Sequence, residues 1–460
     1  MDFAKKNILV FGSGVSGIGA ADLLSEIGAC PILYDGNTAV EKETVLKKTK
    51  GGYIPEVYIG ELPEEVKDKL DLVVLSPGVP MDIPLVREFY QRGIPVWGEV
   101  ELAYRVSASR EVLAITGTNG KTTTTTLLGK ILSDYKESVF VVGNIGISYT
   151  SAALSMKKES VTVAEISSFQ LETIDKFAPT VSAILNITED HLNRHHTMEE
   201  YIRVKELITK NQGDQDVCVL NYEDFILREF GKQIVPRCIY FSSKRELLDL
   251  SQAIFIRDTS DGAWIVWKEE NQEIPVVKLT DLQLLGQHNH ENVMAAVAMA
   301  YSAGVPMESI RKSVCAFQAV AHRIEYVAEK KGVTYYNDSK GTNPDAAIKG
   351  IQAMDRPTLL IAGGYDKNAD YREWIRSFDG KVRHLVLIGQ TKEKIACAAR
   401  EEGFTKIIFA EDLAEAVAIC AEKAQPGEAV LLSPACASWG QFENYEQRGD
   451  MFKECVHKLE

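Results

Sequence analysis

Ile115-Thr116-Gly117-Thr118-Asn119-Gly120-Lys121-Thr122-Thr123-Thr124 closes an apolar run, Val112 to Ile115, and opens a segment of helical composition, Thr122 to Leu132. The stretch reads as strand, tight loop, helix. Gly117 and Gly120 let the backbone turn closely enough for its N–H groups to face a phosphate, Lys121 adds a cation, and the Thr122 hydroxyl is an oxygen ligand suited to Mg²⁺. The full pattern G-x-x-x-x-G-K-[ST] is not met, because Ile115 stands where its first glycine belongs. What remains is a shortened G-T-N-G-K-T loop. A polar, glycine-bearing turn needs no ligand, but G-K-T-T-T at the head of a helix points to nucleotide binding by Gly117, Thr118, Asn119, Gly120, Lys121, Thr122 and Thr123.

The loop lies in a chain of 460 residues, long enough for about three domains. With 45% apolar and 25% charged residues the composition is that of a soluble globular protein, and no signal peptide or bilayer-length apolar run stands out. Eight cysteines without a C-x-x-C pair argue for a reducing compartment and against a disulfide framework or structural zinc. A cytoplasmic protein off the membrane is expected. The net charge of −14 disfavours a nucleic-acid surface, so anionic ligands must be met by individually placed cations.

Upstream, Asn7 to Phe11 reads as a buried strand, Gly12-Ser13-Gly14-Val15-Ser16-Gly17 as a G-x-G-x-x-G turn, Ile18 to Ile27 as a helix, and Pro31 to Tyr34 as a second strand ending in Asp35. This βαβ start suits a dinucleotide. It suits equally a turn whose glycines serve close strand–helix packing, with another ligand at the helix N-terminus. Asp71 to Leu75 is a further strand, and Ser76-Pro77-Gly78 lies at its carboxyl end, where doubly wound sheets bind ligands. Ile94 to Trp97 follows as another strand.

Downstream of the phosphate loop, Ser138 to Val142 reads as a strand ending in Gly143-Asn144-Ile145-Gly146. Val161 to Ala164 ends at Glu165, an acid at the usual place for holding Mg²⁺, a reading favoured over a charge that only stabilises a helix N-terminus. Val181 to Ile187 delivers Thr188-Glu189-Asp190-His191. Thr197-Met198-Glu199-Glu200 matches a capping box and opens a helix to about Asn211 that carries Lys205, on pattern alone an exposed helical lysine. His191 and His195 have no third ligand at zinc spacing. Gly286-Gln287-His288-Asn289-His290-Glu291-Asn292 precedes a helix, Val293 to Ala303, where Asn289 and Asn292 could cap it, contact a base, or both. From Val333 onward apolar strands alternate with helices, and their loops carry Asp338, Lys340, Thr342, Lys367 and Ser438: a second parallel sheet with its loops on one edge. Cys436 lacks a base that would make it a nucleophile.

Taken together, G-T-N-G-K-T, E-I-S-S-F-Q-L-E at Glu165, N-I-T-E-D-H ending at His191, Lys205, G-Q-H-N-H-E-N, A-H-R at Ala321 to Arg323, N-D-S-K-G-T-N, and S-P-A-C-A-S with Gln447-Arg448-Gly449 beyond resemble the Mur ligases of peptidoglycan synthesis, in family order and over nearly the whole chain. The resemblance implies an α/β protein of three domains: a Rossmann-like UDP-sugar domain at 1–98, a central P-loop ATPase-type domain at 99–319, and a Rossmann-like amino-acid domain at 320–460. It also turns the first glycine loop away from NAD.

The activity it implies is ATP-driven amide synthesis by a monomer that joins D-glutamate to UDP-N-acetylmuramoyl-L-alanine through an acyl phosphate. Carried over by position, Val15, Ser16, Asp35, Ser76, Pro77, Gly78 and Asn144 line the UDP-sugar pocket, although Gly36 and Asn37 replace more strongly interacting side chains. Lys121 and the loop hold phosphates, and Thr122 and Glu165 hold one Mg²⁺. His191 and Lys205 hold a second, Lys205 as a carbamate, because an amine of pKa about 10.4 would otherwise repel a cation. Asn289, Asn292, His322 and Arg323 contact adenine, ribose and phosphate, and Asp338 and Lys340 orient the nucleotide. Thr342, Lys367, Ser438 and Tyr445 bind D-glutamate. The rivals are a family member with another amino acid, which N-D-S-K-G-T-N with S-P-A-C-A-S disfavours, and a nucleotide-binding ATPase that makes no amide.

Overall fold

Three sheets organise the chain, seen in a computed structural model that describes residues 2–459 apart from 51, 52, 54, 319, 367 and 368. Lys367 therefore lies outside the described residues. The chain divides into two compact units, Met1–Leu279 with Glu291–Val314, and Thr280–His290 with Cys315–Glu460. Among the described residues no helix is long and apolar enough to cross a membrane.

The first unit holds two sheets. Strands β1 (Asn7–Phe11), β2 (Cys30–Asp35), β3 (Glu56–Ile59), β4 (Leu72–Leu75) and β5 (Val96–Gly98) form a parallel sheet of order β3-β2-β1-β4-β5. Its central strands are unbroken apolar runs because helices cover both faces. The order reverses between β1 and β4, which places the Gly12–Gly17 and Ser76–Gly78 loops side by side at a switch point. The first helix starts at Val15, three residues before the expected Ile18, with Gly14 as its N-cap.

The second sheet runs through β6 (Glu111–Thr116), β7 (Val139–Gly143), β8 (Val161–Glu165), β9 (Val181–Ile184), β10 (Val217–Asn221), β11 (Arg237–Ser242), β12 (Gln252–Thr259), β13 (Gly262–Glu269) and β14 (Gln272–Lys278) in the order β14-β13-β12-β11-β10-β9-β6-β8-β7. Strands β6 to β12 pair in parallel; β12, β13 and β14 pair antiparallel. Strand β6 lies between β8 and β9, so the loop after it is flanked by the ends that carry Glu165 and Asn186.

The second unit carries β15 (Glu325–Lys330), β16 (Val333–Asn337), β17 (Thr358–Gly363), β18 (Val382–Ile388), β19 (Ile407–Phe409) and β20 (Ala429–Leu432), ordered β15-β16-β20-β17-β18-β19. The expectation of a parallel sheet holds for five of these six strands. The edge strand β15 is antiparallel to β16 because the two are joined by a tight hairpin at Lys331 and Gly332, both with positive φ.

Three further helical expectations change. The helix expected from Val293 runs Gln287–Ser302, taking in the G-Q-H-N-H-E-N segment: Gly286, at φ +90, ends the preceding chain, and Asn289 and His290 both donate backbone N–H bonds to its carbonyl. The helix carrying Lys205 is Met198–Glu206, followed by a 3₁₀ turn Leu207–Thr209, and so ends short of Asn211. Its N-cap is half a capping box: Thr197 accepts from the Glu200 N–H, but the Glu200 carboxylate pairs with Arg203 at 2.6 and 2.8 Å. The full box lies instead at Ser167 and Gln170.

Candidate functional site

In the first unit the phosphate loop is held in shape before any ligand is considered. Gly117 at φ +146 and Gly120 at φ +85 occupy backbone regions closed to other residues without strain, and Gly120 is the N-cap of the helix Lys121–Ser133. A Cβ at Gly120 would lie 2.2 Å from Asn292 Oδ1. Asn186, after β9, clasps the loop from the side: its Oδ1 accepts from the Asn119 N–H at 2.8 Å and its Nδ2 donates to the Asn119 carbonyl at 3.1 Å. Thr118 Oγ1 donates to the Thr188 carbonyl at 3.0 Å and lies 3.1 Å from the Tyr201 hydroxyl. These ties aim a helix N-terminus, with its partial positive charge, at one spot.

Lys121 and Lys205 meet on this loop. Lys121 Nζ donates to the carbonyls of Gly117 at 2.8 Å and Thr118 at 2.9 Å. Lys205 Nζ reaches the Gly117 carbonyl at 2.9 Å and lies 4.6 Å from the Tyr201 ring centre. The bland expectation of an exposed helical lysine fails, since Lys205 is 1% exposed. Tyr201, Val204, Lys205 and Ile208 share one buried face. Burial, and then the nearby Lys121 charge, lower the Lys205 ammonium to about 7.

Glu165 ends β8 almost fully buried. Asn144 Nδ2 donates to its Oε1 at 2.9 Å, while its Oε2 has no hydrogen-bond partner among the described residues. A buried, half-satisfied carboxylate next to a phosphate loop with Thr122 at its helix start is the donor set of a Mg²⁺ site, so the residues fit that ion. Asn144, carried over as a sugar contact, has its amide on Glu165. His191 is exposed, in the left-handed region at φ 54, with its Nε2 3.5 Å from Asp190 Oδ2. Burial lowers His195 to about 4, and its Nε2 lies 2.9 Å from Ser168 Oγ. Among the described residues no group of three His, Cys, Asp or Glu side chains is placed to hold a metal.

The first glycine loop shows the packing reading of its glycines. A Cβ at Gly17 would lie 1.8 Å from the Gly12 carbonyl oxygen, and one at Gly12, φ +108, would lie 2.7 Å from Ser76 Oγ. Asp35 is engaged at home: its Oδ2 accepts from Ser13 N–H and Oγ at 3.0 and 2.5 Å, and its Oδ1 from Asn37 N–H at 2.9 Å. Burial works against this charge, yet the bonds from Ser13 and Asn37 leave it lowered on balance. Val15 is 87% exposed and Ser16 partly buried at the start of the first helix, and Ser76, Pro77 and Gly78 follow β4 on the other side of the sheet's switch point.

In the second unit the loops after β16 and β20 knit together. Arg448, 0% exposed, donates to Ser339 Oγ at 2.9 Å, the Ser339 carbonyl at 2.8 Å and the Cys436 carbonyl at 3.1 Å. Asp338 accepts from Ser433 Oγ at 2.7 Å, and burial raises its carboxyl to about 7. His322, left-handed at φ 64, sits 3.1 Å from Asn337 Nδ2, and its carbonyl accepts from the Lys340 N–H at 3.0 Å. Arg323 beside it is exposed. Tyr445 begins the last helix, with its ring 5.3 Å from Lys340 Nζ and 5.9 Å from the His322 ring. Ser438 is buried and Thr342 half-buried. Cys436 is buried against the Tyr371 hydroxyl at 3.1 Å, and burial pushes its thiol up, which suits a structural role. Asn289 Nδ2 donates to the Leu285 carbonyl at 2.7 Å; Asn292, of the first unit, meets Thr124 Oγ1 at 3.3 Å. Sequence reading assigned no role to Asn186, Arg194, Tyr201 or Arg448. All four lie in or beside the motif segments, which was the available signal.

Residues 6–98 match the Mur ligase MurD-like N-terminal domain, 115–300 the Mur ligase middle domain, and 322–436 the Mur ligase glutamate ligase domain. The chain belongs to the Mur ligase family. It is 55% identical over 459 residues, covering 100% of this chain and 99% of the relative, to UDP-N-acetylmuramoylalanine--D-glutamate ligase of Lachnoclostridium phytofermentans. Relatives of the same name from Lachnospira eligens and Clostridioides difficile are 52% and 42% identical, each covering 100% of both chains. Solved Mur ligase structures share the fold at low identity. UDP-N-acetylmuramate-alanine ligase MurC of Thermotoga maritima has a TM-score of 0.58 at 19% identity, covering 98% of this chain and 99% of that one. MurF ligase of the same organism, solved in complex with ADP, has 0.58 at 16%, covering 99% and 96%.

Proposed function

We propose that this Mur ligase joins D-glutamate to UDP-N-acetylmuramoyl-L-alanine at the expense of ATP, in the cytoplasm, as a step of peptidoglycan precursor synthesis. The observation that carries the reading is full-length identity of 55% to a relative with that name. The phosphate loop, the buried Glu165 and the buried Lys205 support it from the side of chemistry. Domain boundaries follow at 1–98, 99–319 and 320–460, and the enzyme acts as a monomer.

The alanyl carboxylate attacks the γ-phosphorus of ATP; a P–O bond forms, the bond to ADP breaks, and an acyl phosphate results. The neutral amine of D-glutamate then attacks the acyl carbon, inorganic phosphate leaves, and the amine proton passes to solvent. Both steps gather negative charge, so positioning and neutralisation dominate. Lys121 and the N–H groups of Gly117 to Thr123 bind the β- and γ-phosphates. Thr122 and Glu165 would hold one Mg²⁺, and His191 with Lys205 as a carbamate would hold a second. Bound there, Mg²⁺ supplies charge neutralisation and orientation of the phosphates. Burial of Lys205 beside a second lysine supports the carbamate, because it favours the uncharged amine that adds to CO₂.

The remaining assignments are made residue by residue. Val15, Ser16, Asp35, Ser76, Pro77 and Gly78 serve the UDP-sugar, with Asp35 acting through the loop it ties together, while Asn144 orients the Glu165 carboxylate. Asn289, Asn292, His322, Arg323, Asp338 and Lys340 serve the nucleotide. Thr342, Lys367, Ser438 and Tyr445 serve D-glutamate. The deciding experiment incubates purified protein with ATP, Mg²⁺ and UDP-N-acetylmuramoyl-L-alanine, together with D-glutamate, L-glutamate, D-aspartate or L-lysine, and weighs the product. A mass gain with D-glutamate alone is expected. A gain only with another amino acid assigns a different family activity, and phosphate release without any adduct refutes ligation.

A further inference from the structure

Arg194 joins the two sheets of the first unit at the point where their loops meet. It sits on a single helical turn, Leu192–His195, bounded by two left-handed residues, His191 at φ 54 and His196 at φ 67. Non-glycine residues hold such angles only where their surroundings impose them. The Arg194 guanidinium ties this turn to its surroundings. Its Nη2 donates to the Val79 carbonyl at 2.8 Å, in the loop that follows β4 and carries Ser76, Pro77 and Gly78. The same guanidinium grips Glu172, with Nη2 at 2.6 Å and Nε at 3.3 Å from the two carboxylate oxygens, and both side chains are only 11% exposed. It also lies 5.0 Å from the Phe169 ring centre, and that ring is 4.9 Å from the His191 ring. A second tie joins His196 Nε2 to Asp82 Oδ2 at 3.3 Å.

Glu172 lies in a segment that starts just beyond Glu165 and is pinned to the chain leaving the first sheet. Gly98 N–H donates to the Thr173 carbonyl at 3.2 Å, and Gln170 Nε2 donates to Glu99 Oε1 at 3.0 Å. The buried Glu101 carboxylate accepts the N–H groups of Asp175, Lys176 and Phe177, each at 2.9 Å. The Ser76–Val79 loop is therefore linked to His191 by contact, through Arg194 and through Phe169. It is linked to the segment after Glu165 through Glu172.

We propose that Arg194 is a positioning residue that couples occupancy of the UDP-sugar pocket to the arrangement of the nucleotide-binding side chains, an inference that rests on the reading of the site given above. Its planar fork is required, because one side chain must hold a carbonyl and both oxygens of a carboxylate at once, which an ammonium does not do. Coupling of this kind is reciprocal: each ligand tightens the other by the same factor.

The test is calorimetric binding of the β,γ-imido analogue of ATP with Mg²⁺, with and without saturating UDP-N-acetylmuramoyl-L-alanine, to the full chain and to Arg194→Ala, Arg194→Lys and Glu172→Gln. In the parent the UDP-sugar tightens the analogue about fivefold or more. In Arg194→Ala the factor falls to about one and in Arg194→Lys to an intermediate value, with each ligand alone bound within about threefold of the parent. Glu172→Gln, nearly isosteric, lowers the factor and covers the case in which loss of the arginine prevents folding. Folded variants that keep the parental factor overturn the proposal, as does a parent that binds both ligands without coupling. Loss of the parental circular dichroism in all three variants makes Arg194 a structural latch and also overturns it. A parent that fails to bind either ligand refutes the reading of the site instead.

Discussion

Lys121 and Lys205 share one acceptor, the Gly117 carbonyl oxygen, at 2.8 and 2.9 Å. Two ammonium groups on one oxygen repel each other, and the buried one gives up its charge more readily. Replacing Lys205 by Ala is expected to lower the rate of phosphate release at least about a hundredfold, because an oxygen ligand and its charge are removed together. Acetate should restore part of the rate by standing in for the carbamate. Full activity in the variant, or indifference to acetate, speaks against a modified Lys205.

Gly120 holds φ +85 with Asn292 Oδ1 where a Cβ would point. Gly120→Ala combines a left-handed residue, costing about 1–2 kcal/mol, with displacement of Asn292. A lower melting temperature and a loss of nucleotide affinity of about tenfold or more are expected, since the helix N-terminus no longer aims at the phosphate. Gly14, at φ −75 and with open space where a Cβ would point, is the matched control for stability. Its alanine variant should stay within about 0.5 kcal/mol of the parent in chemical denaturation.

Asn144 donates to Glu165 Oε1 at 2.9 Å, which makes its amide a partner of the carboxylate. Asn144→Ala leaves that oxygen free and the carboxylate less well oriented, so the Mg²⁺ concentration for half-maximal rate should rise several-fold, in line with the tenfold-or-more effects of outer-shell partners. Binding of the UDP-sugar measured without Mg²⁺ should change little. A raised KM for the UDP-sugar with an unaltered Mg²⁺ titration would return Asn144 to the sugar.

Much of this was legible because strand ends are where the chemistry sits. The parallel strands β6, β8 and β16 are largely apolar runs closed by a polar residue, so the ends at Thr116, Glu165 and Asn337 could be read directly from composition. Lys205 was legible only through its motif: a lysine on a helix reads as exposed unless its neighbours Tyr201, Val204 and Ile208 are seen to form one stripe. The antiparallel strands β12 to β14 went unread because they carry no site motif, although Ser260-Asp261, followed by Gly262 at the head of β13, is a hairpin turn by composition. Arg194 stood beside the N-I-T-E-D-H motif, but its role was not legible, since its partners Val79 and Glu172 lie 115 and 22 residues away in sequence.

His288 gives the second unit an acid limit. Burial first, then the charges of Lys349, His290 and Arg323, lower its imidazole from 6.5 to about 4. The folded unit therefore binds fewer protons here than the unfolded chain between those values. The stability this neutral ring contributes is fully present above pH 6.5 and is lost as pH falls through about 4, by about 3 kcal/mol in all. Asp338 acts in reverse, because burial raises its carboxyl from 3.8 to about 7: its contribution is complete below 3.8 and is lost as pH rises through about 7. The two overlap, so the informative quantity is the difference between the parent and His288→Gln at each pH. In urea denaturation that difference should shrink steadily from pH 6.5 to 4, the variant losing less stability than the parent. A difference that stays constant over that range would show that His288 is not the group that titrates.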